Sequence, residues 1–260
     1  MRGIIMSLIL LSFTILVGCS SATSQDKKKT PDLTVSAAAS LSDALNDIAK
    51  LYKKQTGTTI HLNLASSGTL EQQIAEGAPV DLFISASRDY MDRLMKKGIV
   101  KKKDRVHLLS NTLVLITPKN TETAIKSFND LPAKHVKKIA IGTLDNVPAG
   151  EYAKDTLVSL KLWGRVQSKL VYGKDVRQVL SYVETGNVDA GIVYKSDALI
   201  SDKVRIADEA PMNSHDPITY PMGITSHGGK EKAARKFYDY LQTKTAQKIF
   251  KKYGFEPYLQ

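Results

Sequence analysis

The stretch Ala-Ala-Ala-Ser-Leu at residues 37–41 follows a short apolar run and leads directly into a helical pattern. The stretch Ala-Ser-Ser-Gly-Thr-Leu at residues 65–70 does the same after the next apolar run. The first turn of a helix leaves backbone N–H groups unpaired and carries partial positive charge, and Ser40 and Ser67 add hydroxyl donors there. Two such turns facing one cleft would bind a small oxyanion, although most serines before helices are ordinary N-caps.

Short apolar runs of strand type alternate with amphipathic helical patterns along most of the chain. This alternation predicts an α/β fold, with helices layered on sheets. An apolar strand near Leu113 opens a second series of elements, and a strand near Ile218 returns to the first. We therefore predict two α/β domains joined by a two-strand hinge, the first formed by residues 32–112 plus 218–260 and the second by residues 113–217.

The N-terminus has the composition of an export signal, with a short positive start followed by an apolar run that is short for a membrane span. The sequence Leu-Val-Gly-Cys at residues 16–19 resembles the lipobox of bacterial lipoproteins. We therefore predict a signal peptide over residues 1–18, lipidation of Cys19, and a flexible tether over residues 19–31. The alternative is an uncleaved membrane helix, and both interpretations place the folded part outside the cytoplasm.

The composition excludes several classes of protein. Cys19 is the single cysteine, so the chain has no disulfide framework and no cysteine-based metal cluster. The formal net charge is +11, but the lysines occur in short scattered runs without interleaved aromatic residues. This pattern indicates a solvated surface rather than a nucleic-acid partner, and the positive charge would attract anions over a distance.

Two further turns in the second half have the same small-residue character. Val-Pro-Ala-Gly-Glu-Tyr at residues 147–152 begins a helix with small side chains, which leaves the Ala149 N–H open to a ligand. Lys-Asp-Val-Arg at residues 174–177 begins another helix and places the Val176 N–H in the same way. Each turn alone is more simply explained as a helix start.

Taken together, these turns and Tyr194 resemble the periplasmic molybdate-binding proteins of ABC transporters, which have the type II solute-binding fold. The similarity covers most of the chain after the tether. Its ordered motifs lie at residues 37–41, 78–86, 147–154, 175–177, 191–194 and 251–255. The resemblance implies two Rossmann-like domains and an oxyanion bound by Ser40, Ser67, Ala149, Val176 and Tyr194. It also implies no catalytic residue, no cofactor, and no side chain bonded directly to molybdenum, which is present only within the bound oxyanion.

This implied set of ligands contains hydrogen-bond donors but no lysine or arginine. Such a set suits a fully deprotonated dianion, whereas phosphate needs an acceptor for its own O–H group and should be rejected. Tungstate is close to molybdate in size and should bind comparably, and only cavity size can exclude sulfate. The chain departs from the family pattern at Gly68, where some relatives have serine, and we expect this change to affect the flexibility of the turn.

The resemblance therefore implies a monomeric extracytoplasmic lipoprotein, anchored to the bacterial cell membrane, that captures molybdate and delivers it to an ABC permease. One alternative is the same fold binding sulfate or another small oxyanion. Another is an extracytoplasmic hydrolase that uses Ser40 or Ser67. The sequence has five histidines but neither a Gly-x-Ser-x-Gly nor a His-Glu-x-x-His motif, so we predict that the protein is not an enzyme.

Overall fold

A computed structural model of the protein describes residues 32–120 and 124–258. The predicted signal peptide over residues 1–18, the tether and the lipidated Cys19 lie outside the described residues. Within them, no helix has both the length and the apolar character needed to span a membrane.

The described residues alternate between strands and helices, as the sequence predicts. The strands are β1 Leu33–Ala38, β2 Ile60–Ala65, β3 Leu82–Ile84, β4 Val100–Ser110, β5 Leu113–Pro118, β6 Ile139–Gly142, β7 Leu170–Gly173, β8 Ala190–Tyr194, β9 Val204–Glu209, β10 Thr219–Thr225 and β11 Glu256–Pro257. The helices are α1 Ser42–Thr56, α2 Ser67–Ala75, α3 Arg88–Lys96, α4 Pro148–Ser159, α5 Trp163–Val166, α6 Val176–Glu184, α7 Lys195–Leu199, α8 Glu231–Leu241 and α9 Lys244–Lys252.

The strands form two mixed sheets. The first has the order β11-β4-β10-β3-β1-β2, and the second has the order β7-β6-β8-β5-β9. In the first sheet β1 pairs in parallel with β2 and β3, and in the second β6 pairs in parallel with β7 and β8. The α/β fold class is thereby confirmed.

Within the described ranges, the chain crosses between the sheets twice. It leaves the first sheet after Ser110, enters the second at Leu113, leaves the second after Glu209 and re-enters the first at Thr219. These crossings lie near the two positions expected from the sequence, while the domain limits and the hinge motion stay a prediction. The first crossing is short, so the two sheets are joined with little slack at that point.

Helix α1 shows how the sequence determines a single element. Leu45, Ile48 and Tyr52 recur at helical spacing and are buried, and burial of an aliphatic side chain such as Leu45 or Ile48 contributes about 1.5–3 kcal/mol. Gly57 ends the helix with φ of 77°, a left-handed conformation that suits glycine, and its N–H donates to the Lys53 carbonyl at 2.8 Å.

Two strands of substantial length are not apparent from the apolar pattern. Strand β4 carries exposed Lys101–Lys103, and strand β9 has a buried residue at Val204 followed by exposed and half-buried positions. Both are stabilised by pairing with neighbouring strands rather than by a continuous apolar face. Helix α4 begins at Pro148, within the stretch at residues 147–152 where the sequence predicts a helix start.

Candidate functional site

The carboxyl ends of the parallel strands in both sheets meet at one cavity. Its volume is about 210 Å³, which includes open space at its mouth. Its lining residues are 38–40, 65–67 and 86 from the first sheet and its loops, and 147–149, 175–176 and 194 from the second. All five predicted ligand residues therefore lie around one cavity, at the edge where open α/β sheets commonly bind ligands.

In the part of the chain that the structure describes, three helices begin at this cavity. Helix α2 starts at Ser67, helix α4 at Pro148 and helix α6 at Val176. Because the first turn of a helix has N–H groups without intrahelical acceptors, Ser67, Ala149 and Val176 bring backbone donors to the same cavity. The partial positive charges of the three helix ends add to a potential that favours an anion.

Neither Ser40 nor Ser67 is a helix N-cap. Ser66 caps α2, and its Oγ accepts a hydrogen bond from the Thr69 N–H at 3.3 Å. Ser40 lies in a 3-10 turn over Ala39–Leu41, which comes directly before α1. The N-cap interpretation of the two serines is therefore wrong, and their hydroxyl groups are available for other contacts.

The hydroxyl groups of both serines are held by contacts far along the chain. The Ser67 Oγ accepts a hydrogen bond from the Ala86 N–H at 2.9 Å, which leaves the Ser67 hydrogen for another partner. The Ser40 Oγ lies 2.9 Å from the Tyr220 hydroxyl oxygen. Both serines are almost completely buried, so each hydroxyl is fixed at the cavity wall.

The Tyr194 hydroxyl is a buried donor at the cavity wall. The side chain is 1% exposed, and its oxygen has no hydrogen-bond partner among the residues that the structure describes. Burial raises the pKa of this phenol well above its usual value, so the group keeps its proton. An unsatisfied buried hydroxyl costs about 1–3 kcal/mol, and a ligand oxygen in the cavity would remove this cost.

Glycine allows helix α4 to approach the end of strand β6. A Cβ atom on Gly150 would lie 2.2 Å from the Gly142 carbonyl oxygen, which is closer than any real contact. The first turn of α4 therefore packs directly against the strand, and Ala149 in that turn is fully buried. This explains why a glycine follows Ala149 in the sequence.

No lysine or arginine lines the cavity among the described residues. Asp175 is the one carboxylate among the described lining residues; it caps α6, and its Oδ1 accepts from the Gln178 N–H at 2.9 Å. An anion in this cavity would therefore meet N–H and O–H donors rather than a cationic side chain.

Arg177 joins the two halves of the molecule beside the cavity. Its Nη2 donates to the Asp43 Oδ2 at 2.6 Å and to the Ser40 carbonyl at 3.1 Å, both on the first-sheet side. Its Nε lies 2.8 Å from the Oδ1 of Asp197, which is on the second-sheet side. Asp197 is fully buried, and burial raises its pKa to about 7 although Arg177 opposes the shift.

A second set of contacts joins the halves near α2. The Gly68 N–H donates to the Asn146 carbonyl at 2.9 Å, and a Cβ atom on Gly68 would lie 2.6 Å from the Asn146 Cα. The Tyr90 hydroxyl, which has one hydrogen to donate, lies within hydrogen-bonding distance of both the Glu151 carboxylate and the Asp145 carbonyl. Gly68 thus permits close approach of the two halves, a different role from the turn flexibility expected from the sequence.

Sequence reasoning found the cavity residues but missed the residues that support them. The missed residues are Asn111, Asn146, Asp197 and Tyr220, together with the bridging role of Arg177. Arg177 stood within a recognised motif, whereas the others gave no local signal. Among the described residues, no group of three or more His, Cys, Asp or Glu side chains is arranged to bind a metal ion.

Comparison with known proteins gives a consistent result. The family model for the bacterial extracellular solute-binding protein matches residues 33–256. The chain is 51% identical over 248 residues to YvgL of Bacillus subtilis (strain 168), with 95% of each chain covered. The name of YvgL gives it a provisional assignment as an ABC transporter substrate-binding lipoprotein. It is 40% identical over 227 residues to the molybdate-binding protein ModA of Escherichia coli (strain K12), covering 86% of this chain and 88% of ModA. The solved periplasmic molybdate-binding protein of Azotobacter vinelandii superposes with a TM-score of 0.78 at 25% identity, covering 88% and 99% of the two chains.

Proposed function

Since the chain belongs to the bacterial extracellular solute-binding protein family, we propose that it captures molybdate in the cavity between its two sheets and delivers it to an ABC permease. The family and the named relatives are solute-binding proteins rather than enzymes. The observation that carries the proposal is the Tyr194 hydroxyl, which is buried without a partner among the described residues, in a cavity where three of the described helices begin.

The donors around the cavity suffice for tight binding without ion pairing. Ser40 and Ser67 offer hydroxyl and backbone donors, Ala149 and Val176 offer N–H groups, and Tyr194 offers its hydroxyl. Roughly seven donors at about 1.5–3 kcal/mol each give on the order of 10–20 kcal/mol before costs. Association and closure consume several kcal/mol, which leaves a dissociation constant between micromolar and tens of nanomolar.

The same donor set determines which anions are accepted. Molybdate and tungstate carry no proton near neutral pH and can accept a hydrogen bond at every oxygen. Phosphate under the same conditions carries at least one O–H group, which needs an acceptor that the N–H and O–H donors assigned here do not supply. Sulfate has the same charge and hydrogen-bonding needs as molybdate, so its rejection depends on its shorter bonds and the size of the cavity.

We place the protein on the outer side of the bacterial cell membrane, held by a lipid on Cys19. The Leu-Val-Gly-Cys motif at residues 16–19 supports this location, as does the lipoprotein name of YvgL. A monomeric binding domain on a tether of residues 19–31 could sample the medium and reach a permease in the same membrane. The proposal includes no cofactor and no nucleic-acid partner.

The experiment that tests this function is calorimetric titration of the full chain, solubilised in a mild detergent, at one ionic strength. Molybdate and tungstate should bind one to one with submicromolar dissociation constants, and sulfate and phosphate should bind weakly or not at all. Tight sulfate binding would instead support the alternative function, capture of sulfate by the same fold. Absence of binding for all four anions would overturn the proposal.

A further inference from the structure

A chain of hydrogen bonds leads from the crossings between the sheets to the cavity. Asn111 lies between β4 and β5, and its Nδ2 donates to the Tyr220 hydroxyl oxygen at 3.3 Å and to the Ser196 Oγ at 2.8 Å. Tyr220 lies on β10, where the chain returns to the first sheet, and its hydroxyl is 2.9 Å from the Ser40 Oγ. The chain of hydrogen bonds thus ends at Ser40, a serine of the cavity wall.

The orientation of the Asn111 amide fixes the direction of the first link. The Thr112 N–H donates to the Asn111 Oδ1 at 2.9 Å, so the amide oxygen faces Thr112. The opposite side of the amide is then the NH₂ group, which has hydrogens to donate and cannot accept. The oxygen of Tyr220 must therefore accept in this contact.

Tyr220 determines the direction of the hydrogen bond with Ser40. The phenol is fully buried, and burial raises its pKa above the usual value, so it carries its proton. Because its oxygen accepts from Asn111, its own hydrogen is free to point at the Ser40 Oγ. Ser40 then accepts from Tyr220 and keeps its own hydrogen for the cavity.

We propose that Asn111 and Tyr220 are positioning residues that make Ser40 a hydrogen-bond donor toward the oxyanion. If the hydrogen bonds were donated in the opposite direction, Ser40 would donate its hydrogen to Tyr220, and the lone pairs of the Ser40 oxygen would face the cavity. Those lone pairs would repel a dianion and would accept from a protonated anion such as hydrogen phosphate. The inference rests on the proposed function and adds a source of its selectivity.

The test is a double-mutant cycle with Asn111→Asp and Ser40→Ala, measured by molybdate titration of the full chain in detergent. The aspartate has the shape of asparagine but its carboxylate only accepts, so Tyr220 donates to it and then accepts from Ser40. We expect Asn111→Asp to weaken molybdate binding at least tenfold in the natural chain. In the Ser40→Ala background the same change should alter binding by less than threefold.

The cycle separates the direction of hydrogen bonding from the added negative charge. A charge acting through space would weaken binding by the same factor in both backgrounds, and equal factors would overturn the inference. Failure of the proposed site gives a different result, because Ser40→Ala would then bind molybdate as tightly as the natural chain does.

A second double-mutant cycle uses Tyr220→Phe, which removes the middle hydroxyl of the hydrogen-bond chain without adding charge. Tyr220→Phe should weaken molybdate binding about three- to tenfold in the natural chain and by less than twofold in the Ser40→Ala background. It should also reduce the ratio of phosphate to molybdate dissociation constants. Equal effects in the two backgrounds would contradict the inference even if Asn111→Asp did not fold.

Discussion

Gly68→Ala provides a sharp test of close approach between the two halves. The added Cβ would lie 2.6 Å from the Asn146 Cα, whereas ordinary contacts begin at 3.4 Å, so the Asn146 segment would have to retreat by about 0.8 Å. That movement would stretch the hydrogen bond from the Gly68 N–H to the Asn146 carbonyl. The substitution therefore penalises the arrangement in which both halves meet around the cavity.

The expected loss follows from these two effects. Overpacking of this kind costs about 1–3 kcal/mol, and a weakened hydrogen bond adds up to about 1 kcal/mol. We take about 2 kcal/mol as the central value, which corresponds to about 30-fold weaker molybdate binding. Alanine also stabilises the first turn of α2 by about 0.5–1 kcal/mol relative to glycine. In an open form the contact with Asn146 is relieved, so the free energy of unfolding of the unliganded protein should not fall.

The assay is molybdate titration together with urea unfolding of the unliganded protein. Gly164→Ala is the matched control, because a Cβ atom there has no neighbour within 4 Å. Gly68→Ala should bind weakly and unfold at an unchanged or higher urea concentration, and Gly164→Ala should bind as the natural chain does. Binding of Gly68→Ala within threefold of the natural chain would refute the requirement for close approach.

Three further substitutions test the polar contacts at and beside the cavity. Tyr194→Phe should weaken molybdate binding about 10- to 100-fold, yet it should raise the free energy of urea unfolding without ligand by about 1 kcal/mol, because it removes a buried hydroxyl that has no partner among the described residues. Lower stability of this variant without ligand would contradict the expectation. Asp43→Asn breaks a half-exposed ion pair with Arg177 and should weaken binding two- to fivefold at low salt, whereas Asp47→Asn on the same helix should have no effect in the same titration. Asp197, with a pKa raised from 3.8 to about 7, holds a proton in the folded state that the unfolded chain releases. Its stabilising contribution is therefore present at acid pH and is lost as the pH rises through 7, so the urea stability of the natural chain relative to Asp197→Asn should fall from pH 5 to pH 8; a constant difference would disprove the shift.

Local sequence patterns predicted the elements that carry the cavity. Apolar runs followed by small residues identified the ends of β1 and β2 and placed Ser40 and Ser67 at helix starts. These features are local, because strand ends, helix starts and the absence of bulky side chains depend on a few consecutive residues. The role of these residues as ligands stays a prediction.

The supporting contacts could not be predicted in this way, because they join residues distant in the chain. Ser40 meets Tyr220 across 180 residues and Arg177 across 137 residues. Such pairs depend on how the two sheets are placed, which no local pattern determines. Strand β4 was missed for a related reason, since its exposed lysines hide a strand that is stabilised by its pairing with β10.

Anomalous X-ray scattering near the molybdenum absorption edge, from crystals of the protein grown with molybdate, would test the central claim most directly. We predict one strong molybdenum peak in the cavity, with ligand oxygens within hydrogen-bonding distance of Ser40, Ser67, Ala149, Val176 and Tyr194. An empty cavity, or a peak on the protein surface alone, would contradict both the proposed ligand and the proposed site.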